Sequence, residues 1–229
     1  MDKYGELINI EDLYTALVSQ DDEAAYKSGE NKYLAPAAEI THDTTTNVNK
    51  RFYDGKLRYV TVTEGSTSVP VVVSGVPCSL ASELTGKPYN KDTGEFYDTG
   101  DSSNTPYRAL SGRMELGDGG YRYFQYLKGK FSIGAEKAQT KQENITPNTV
   151  TLTYTPVVTI HKFKVEENKI CGVKSVKADS FDETFNGAEN WFKKVQTPPE
   201  PDNTATASEP DSTSPASAPD AEPEGNEET

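Results

Sequence analysis

The chain has 229 residues, 34% hydrophobic and 26% charged, with a formal net charge of −13. That length suits one all-β domain with a sizeable core, and no run of eighteen apolar residues predicts a transmembrane helix. The start MDKYGELINIEDLY has no basic stretch followed by an apolar one, so no signal peptide is expected, and neither end carries a lipidation motif.

Strand patterns dominate in chain order. Leu13–Ser19 reads as a short strand apolar on both faces, with a helix from Glu11 as the competing reading. Glu39–Asn47 is Thr-rich and alternating; Lys56–Thr63 and Val69–Val76 read as two further strands. Cys78–Thr85 follows Pro77 and stops at Gly86, which predicts a short helix. Tyr107–Leu116 and Tyr121–Phe131 predict a hairpin across Gly117-Asp-Gly-Gly120. Its second strand carries Tyr and Phe on both faces, so each face needs a cover: one the domain's own core, the other a second layer or a neighbouring subunit. Thr149–Ile160 alternates Thr with apolar residues, and Pro156 places part of it at an edge or bulge. Ile170–Ala178 is the last strand expected. Asp182–Val195 predicts a second helix, with Asp182 as N-cap and Phe185, Trp191, Phe192 and Val195 on one stripe.

A boundary falls at Val195, so 1–195 reads as the β domain and 196–229 as a separate tail. The tail holds nine of the 36 acids, seven of the fourteen prolines, no Lys or Arg and no large apolar residue. Such a segment cannot bury enough area to offset about 1–2 kcal/mol of ordering entropy per residue, which predicts a disordered acidic tail. Removing its nine acids leaves 27 against 23 bases, so the body is only −4.

The chemistry of most enzyme and metal sites is absent from the sequence. His42 and His161 are the only histidines, and no zinc-ligand spacing, phosphate loop or nucleophile elbow occurs. No catalytic, cofactor or metal residues are therefore expected. Asn90–Gly94 has too few oxygen ligands for calcium. Glu166-Glu167 and Asp21-Asp22-Glu23 read as solvated loop charges, and Cys78 and Cys171 as small buried hydrophobes in a reducing compartment. The sequon at Asn144 has meaning only on a secretory route. Arg108, Arg113, Arg122, Lys128 and Lys130 interleave with aromatics, as single-strand binders require, but a body of −4 favours pairing with acids on adjacent strands or subunits.

The stretches LTGKPYNKDTGEFYDTGD (84–101), PYRAL (106–110), YRYFQYLKGKFSI (121–133), KQENITPNTVTLTYTP (141–156) and ETFNGAENWFKKV (183–195) come in a distinctive order and spacing. YGELINIEDLYTALVS (4–19) fits more loosely. In these the chain resembles the major tail, or tail-tube, proteins of long-tailed non-contractile bacteriophages (siphophages) of Gram-positive bacteria. The resemblance implies a fold of two packed antiparallel sheets, a tail-tube β-sandwich or barrel, with one or two short flanking helices. It implies a structural virion protein, assembled in the host cytoplasm, whose hexameric rings stack into a tube that conducts genomic DNA without sequence-specific binding. Implied partners are further copies of the chain, the tape measure protein, and tail terminator and baseplate proteins, with no membrane. Thr41–Asn49, leading to Phe52 and Tyr53, becomes the candidate loop bridging stacked rings, with a plain hairpin as the alternative. Tyr121, Tyr123, Phe124, Tyr126, Phe52 and Tyr53 are the expected inter-subunit residues. A lumen that lets DNA slide should be acidic or uncharged, and the tail should project outward. Rival readings are the tube of a phage-derived bacteriocin and a monomeric carbohydrate-binding β-sandwich that stacks sugars on the aromatic strand.

Overall fold

A computed structural model describes residues 5–140 and 148–201. The sequon at Asn144, part of the 141–156 stretch and the tail from 202 onward lie outside the described residues. The chain is mainly β: β1 (Leu7–Asp21), β2 (Tyr26–Ser28), β3 (Lys32–Tyr33), β4 (Ala37–Ile40), β5 (Asp43–Tyr53), β6 (Lys56–Val73), helix α1 (Cys78–Thr85), β7 (Tyr89–Asn90), β8 (Glu95–Phe96), β9 (Arg108–Leu116), β10 (Tyr121–Ile133), β11 (Val150–Val157), β12 (Phe163–Glu166), β13 (Lys169–Cys171) and β14 (Ser175–Asp179).

Ten strands form one antiparallel sheet in the order β2-β1-β9-β10-β11-β6-β4, with β3 beside β1, β5 beside β6 and β14 beside β10. The sheet curls until its ends meet. β3 pairs with β1 and β4 pairs with β6, so the few residues from Lys32 to Ile40 bridge the two edges. The two packed layers expected from sequence are the two halves of this curled sheet. Curling brings Leu13 of β1, Val69, Val71 and Val73 of β6, Phe124 and Tyr126 of β10, and Leu152 and Tyr154 of β11 into one core. Alternation along each strand supplies these inward residues.

Several elements fall where the sequence pattern puts them. Helix α1 spans Cys78–Thr85 and ends on Gly86, whose φ of 74° is the left-handed cap that glycine tolerates. The β9–β10 hairpin turns through the Gly117–Gly120 corner. Pro156 pairs only with Gly129 of β10, beyond the last β6 pairing at Tyr154, so it sits at a local edge that needs no second ladder bond. β1 is a strand rather than a helix from Glu11; it is bulged at Asp12, where the Arg113 guanidinium forms ion pairs with both Glu11 and Asp12.

Other elements differ. Lys56–Thr63 and Val69–Val76 are not two strands but one 18-residue strand, β6, which changes partners at its middle: β5 up to Ser68, then β11 and β4. The Thr-rich stretch breaks at Thr41-His42 into β4 and β5. Ile170–Ala178 divides into β13 and β14 around Gly172. Asp182–Val195 is not a helix; only Ala188–Asn190 makes a turn of 3-10 helix. Asp182 accepts from the Thr184 N–H at 2.9 Å and the Thr184 hydroxyl at 2.7 Å, closing a local turn instead of starting a helix. Asn186-Gly187 then offers little helical propensity.

The cysteines are not core residues: Cys78 is exposed and Cys171 half-buried, both as free thiols. Asp21 is not a solvated loop charge. Its carboxylate is buried, takes the Lys128 ammonium at 2.5 Å and accepts the N–H groups of Ile160 and His161 at 3.0 Å. Burial alone would raise its pKa, but Lys128 and these N–H groups together hold it below the usual carboxylate value.

His42, just before β5, stacks on Tyr126 and meets Phe124 edge-on, with its Nδ1 2.8 Å from the Tyr126 hydroxyl. Burial, and then the positive charge of Lys177, press its pKa down from 6.5 to about 4. The folded chain thus keeps His42 neutral where the unfolded chain protonates it, so stability drops as pH falls from about 6.5 toward 4. Denaturant melts across that window should show a shallower pH slope for His42→Phe than for the parent; equal slopes would contradict this placement.

Candidate assembly surface

Strand β10 is apolar on both faces, and the chain itself covers both. Phe124 and Tyr126 point into the main core. Tyr123 lies against Phe185, Trp191 and Phe192, with ring centroids 5.4 to 6.2 Å apart, and Leu127 packs with Phe163 and Val195. The Trp191 indole N–H donates to the Phe124 carbonyl at 3.4 Å. The C-terminal segment is thus a strap laid across the outer face of β10. Tyr123, Phe124 and Tyr126 were expected at subunit contacts; they are 5%, 0% and 3% exposed and cannot reach a neighbour. Tyr121, at the strand's start, is partly exposed under the Arg113 guanidinium.

The strap does not end at the sequence boundary. Gln196 donates to the carbonyls of Asn190 and Lys194, the Pro199 carbonyl accepts from the Lys164 N–H at 2.9 Å, and the Glu200 carboxylate lies 2.7 Å from His161 Nε2. The described body therefore runs to Pro201, and residues 196–200 belong to it.

Phe52 and Tyr53 have a different setting. They stand at the far end of the β5–β6 hairpin, whose turn is Asp54-Gly55 with φ of 51° and 71° at its two central residues. Two positive φ angles define the tight turn whose twist matches the strands it joins. Eleven residues in β5 correspond to a reach of roughly 35 Å at strand rise. Register makes this hairpin two-faced. Val48 opposes Val62, Lys50 opposes Val60, and Phe52 opposes Leu57 across a bulge. Opposed residues share a face, so these form one apolar face. Asn47 opposite Thr63, Asn49 opposite Thr61 and Arg51 opposite Tyr59 form the polar one. The five apolar side chains are 46% to 63% exposed. Lys50, Arg51, Lys56 and Arg58 ring the tip around Asp54, and none of the four makes an ion pair among the described residues.

Most of the expected bridging loop, Thr41–Asn49, belongs to strand β5 of a plain hairpin, and the sequence reading did not set Val48, Leu57, Val60 and Val62 on one exposed face. The signal was present: an Asp-Gly pair flanked by alternating apolar residues is a strong short-range hairpin pattern.

The cations of the β9–β10 hairpin are engaged. Arg113 pairs with Glu11 and Asp12, Arg122 holds Asp179 through two bonds at 2.6 and 2.9 Å, Lys128 meets Asp21, and Arg108 lies 3.7 Å from Glu83. Lys130 sits over the Tyr107 ring. Pairing within the chain, as expected, accounts for them. A shallow open groove at Tyr33–Pro36 and Ser74–Pro77 is lined by no carboxylate, histidine or lysine. Among the described residues no cluster of three or more His, Cys, Asp or Glu is placed to hold a metal ion, and no helix is long and apolar enough to cross a membrane, which says nothing of a β-barrel. Comparison with protein-family models and with curated proteins finds no match.

Trp191→Ala should cost about 3–5 kcal/mol in equilibrium unfolding, as expected for emptying a packed aromatic site. Phe52→Ser should shift the same curve by less than about 0.5 kcal/mol. A large loss at Phe52 would mean that the hairpin is covered by its own chain.

Proposed function

We propose that this chain is the subunit of a tail tube: copies ring up around a channel, rings stack, and the channel conducts genomic DNA. One observation carries the reading. The β5–β6 hairpin projects from a finished domain with an apolar face that the described residues leave uncovered. A two-stranded hairpin on its own is marginal in water, and five half-exposed apolar side chains gain about 1 kcal/mol each when covered. Another copy of the same chain supplies such a cover at every subunit.

Sheet edges support the same reading. Among the described residues β14 pairs only with β10, and β6 from Lys56 to Ser68 only with β5. Open edges are hazards in a monomer and joints in a ring. A heterologous joint that closes by rotation gives a ring; one that does not gives a filament. The sugar-stacking alternative loses its platform, because Tyr123, Phe124 and Tyr126 are interior. The bacteriocin tube shares the tail-tube physics and is separated from it by what lies beside the coding sequence.

Conduction in this scheme is passive. Duplex DNA carries about one negative charge per 1.7 Å of axis, so a wall that lets it slide is neutral or acidic. On β9 and β10 themselves, Arg108, Arg113, Arg122 and Lys128 already face acids of the same chain.

Negative-stain microscopy of the purified chain at increasing concentration should show rings or hollow cylinders. Val62→Glu, which places a charge in the middle of the apolar face, should abolish them without altering the circular dichroism spectrum. A parent protein that stays a uniform monomer at the highest attainable concentration contradicts the reading.

A further inference from the structure

The β5–β6 hairpin joins the body at one defined place. β6 is exposed from Lys56 to Ser66 and alternates buried and half-buried from Thr67 onward, so the body begins at Thr67. The ladder to β5 breaks at the same point. Thr44 opposes Thr67 and Thr46 opposes Glu64, which leaves Thr45 facing both Gly65 and Ser66. Such a bulge bends the strand that carries the extra residue. The two strands are close here. The Thr45 hydroxyl donates to the Ser66 carbonyl at 3.1 Å, and a Cβ at Gly65 would stand 2.4 Å from the Thr45 Oγ1. Any side chain at Gly65 would have to displace that hydroxyl, which is why glycine suits the bend.

One side chain of the body spans this joint. Lys174, between β13 and β14, donates from its ammonium to the Thr67 hydroxyl at 2.9 Å and pairs with the Glu64 carboxylate. Thr67 lies on the body side of the bulge and Glu64 on the hairpin side. The body side is stiff. Thr67 is buried, and its hydroxyl lies 3.0 Å from that of Thr44. The Lys174 carbonyl accepts the Leu127 N–H of β10 at 3.1 Å. The adjoining Val173 exchanges two hydrogen bonds with Thr159, 2.9 Å from its N–H to the Thr159 hydroxyl and 3.2 Å from the Thr159 N–H to its carbonyl. The hairpin side is loose. The Glu64 side chain is 59% exposed, and among the described residues no other ion pair or hydrogen bond joins residues 46–64 to the body.

We propose that Lys174 is the positioning residue of this hairpin: by bridging Thr67 and Glu64 across the bulge, it sets the angle at which the apolar face is presented to another copy. This rests on the tube reading and adds to it how the arm is held. An arm already held at one angle meets its cover without first losing the freedom to swing, so assembly needs less protein. The Glu64 half of the bridge faces water, so salt screens it and loosens the arm while the buried Thr67 half stays.

The test reads the arm directly in dilute full-length protein. Spin labels go on the native Cys78, exposed on α1, and on Tyr53→Cys at the hairpin tip, with Cys171→Ser removing the other thiol. The parent should give one narrow label-to-label distance distribution at low salt. Glu64→Gln and Lys174→Met should each broaden it at least about twofold with the circular dichroism spectrum unchanged. The exchange of Glu64→Lys with Lys174→Glu should narrow it again, because the reversed pair can form and the Thr67 hydroxyl can donate to a carboxylate. In unlabelled protein, Glu64→Gln should need about tenfold more chain to assemble at low salt and match the parent at high salt. Unchanged widths in both single variants overturn the bridge and leave the tube reading standing. Broadening with no change in the assembly concentration overturns the link from angle to assembly, and again leaves the tube reading standing. A parent that forms no assembly at any concentration overturns the tube reading and, with it, the arm's role toward another copy, while the widths still decide the bridge.

Discussion

Strand β10 holds this domain together because it is apolar on both faces and both faces are filled from within one chain. Phe124 and Tyr126 close the interior of the curled sheet, while Tyr123 and Leu127 are roofed by the strap that runs from Phe185 to Val195. A strand buried on two sides fixes its register, since a slip by one residue would exchange every side chain between the faces. The remaining strands take their positions from it: β9 and β11 beside it, then β1 and β6, then the bridge through β3 and β4 that joins the edges. The buried Asp21–Lys128 pair ties the far end of β1 to β10 and to the segment that follows β11. Removing one partner of such a pair leaves a charge uncompensated in the interior, which is far more costly than removing both.

With β10 satisfied internally, the unfinished part of the molecule lies elsewhere. The hairpin of β5 and β6 continues the sheet beyond the core and changes its chemistry on the way. β6 contributes Val69, Val71 and Val73 to the interior, then leaves it and presents Val62, Val60 and Leu57 to water. A single strand thereby couples the packed body to an exposed apolar arm. The arm has no reason to be apolar on one face unless that face is covered in use. This mismatch supports the proposal that another copy covers the arm; the tube itself is what the resemblance of the sequence implies.

The sequence made the fold class legible because period-two alternation runs through parts of β6 and through β11, while β10 is dense in aromatics that favour strands. It located α1 to the residue, since Pro77 and Gly86 bracket it with backbone constraints that tertiary contacts seldom override. It failed at Asp182–Val195, where an aromatic spacing compatible with a helix instead serves a strap; Phe185, Trp191 and Phe192 converge on the single ring of Tyr123, and Asn186-Gly187 lets the chain bend to do so. The aromatic crowding of β10 was read correctly as needing two covers, but composition cannot say whether a cover comes from the same chain. Half of the expected contact residues were lost for that reason, while Phe52 and Tyr53 remain exposed at the hairpin tip. The true extent of the apolar face was hidden because β5 and β6 were read singly, and a face emerges only when Val48 is set opposite Val62.

Amide hydrogen exchange across a concentration series tests the central claim most directly, because it reads cover segment by segment. The account predicts that residues 46–64 exchange quickly in dilute protein and become protected as copies associate, while Phe124–Leu127 stay protected throughout. Protection of 46–64 that is already complete in dilute monomer, or protection of Phe124–Leu127 that appears only on association, would contradict it.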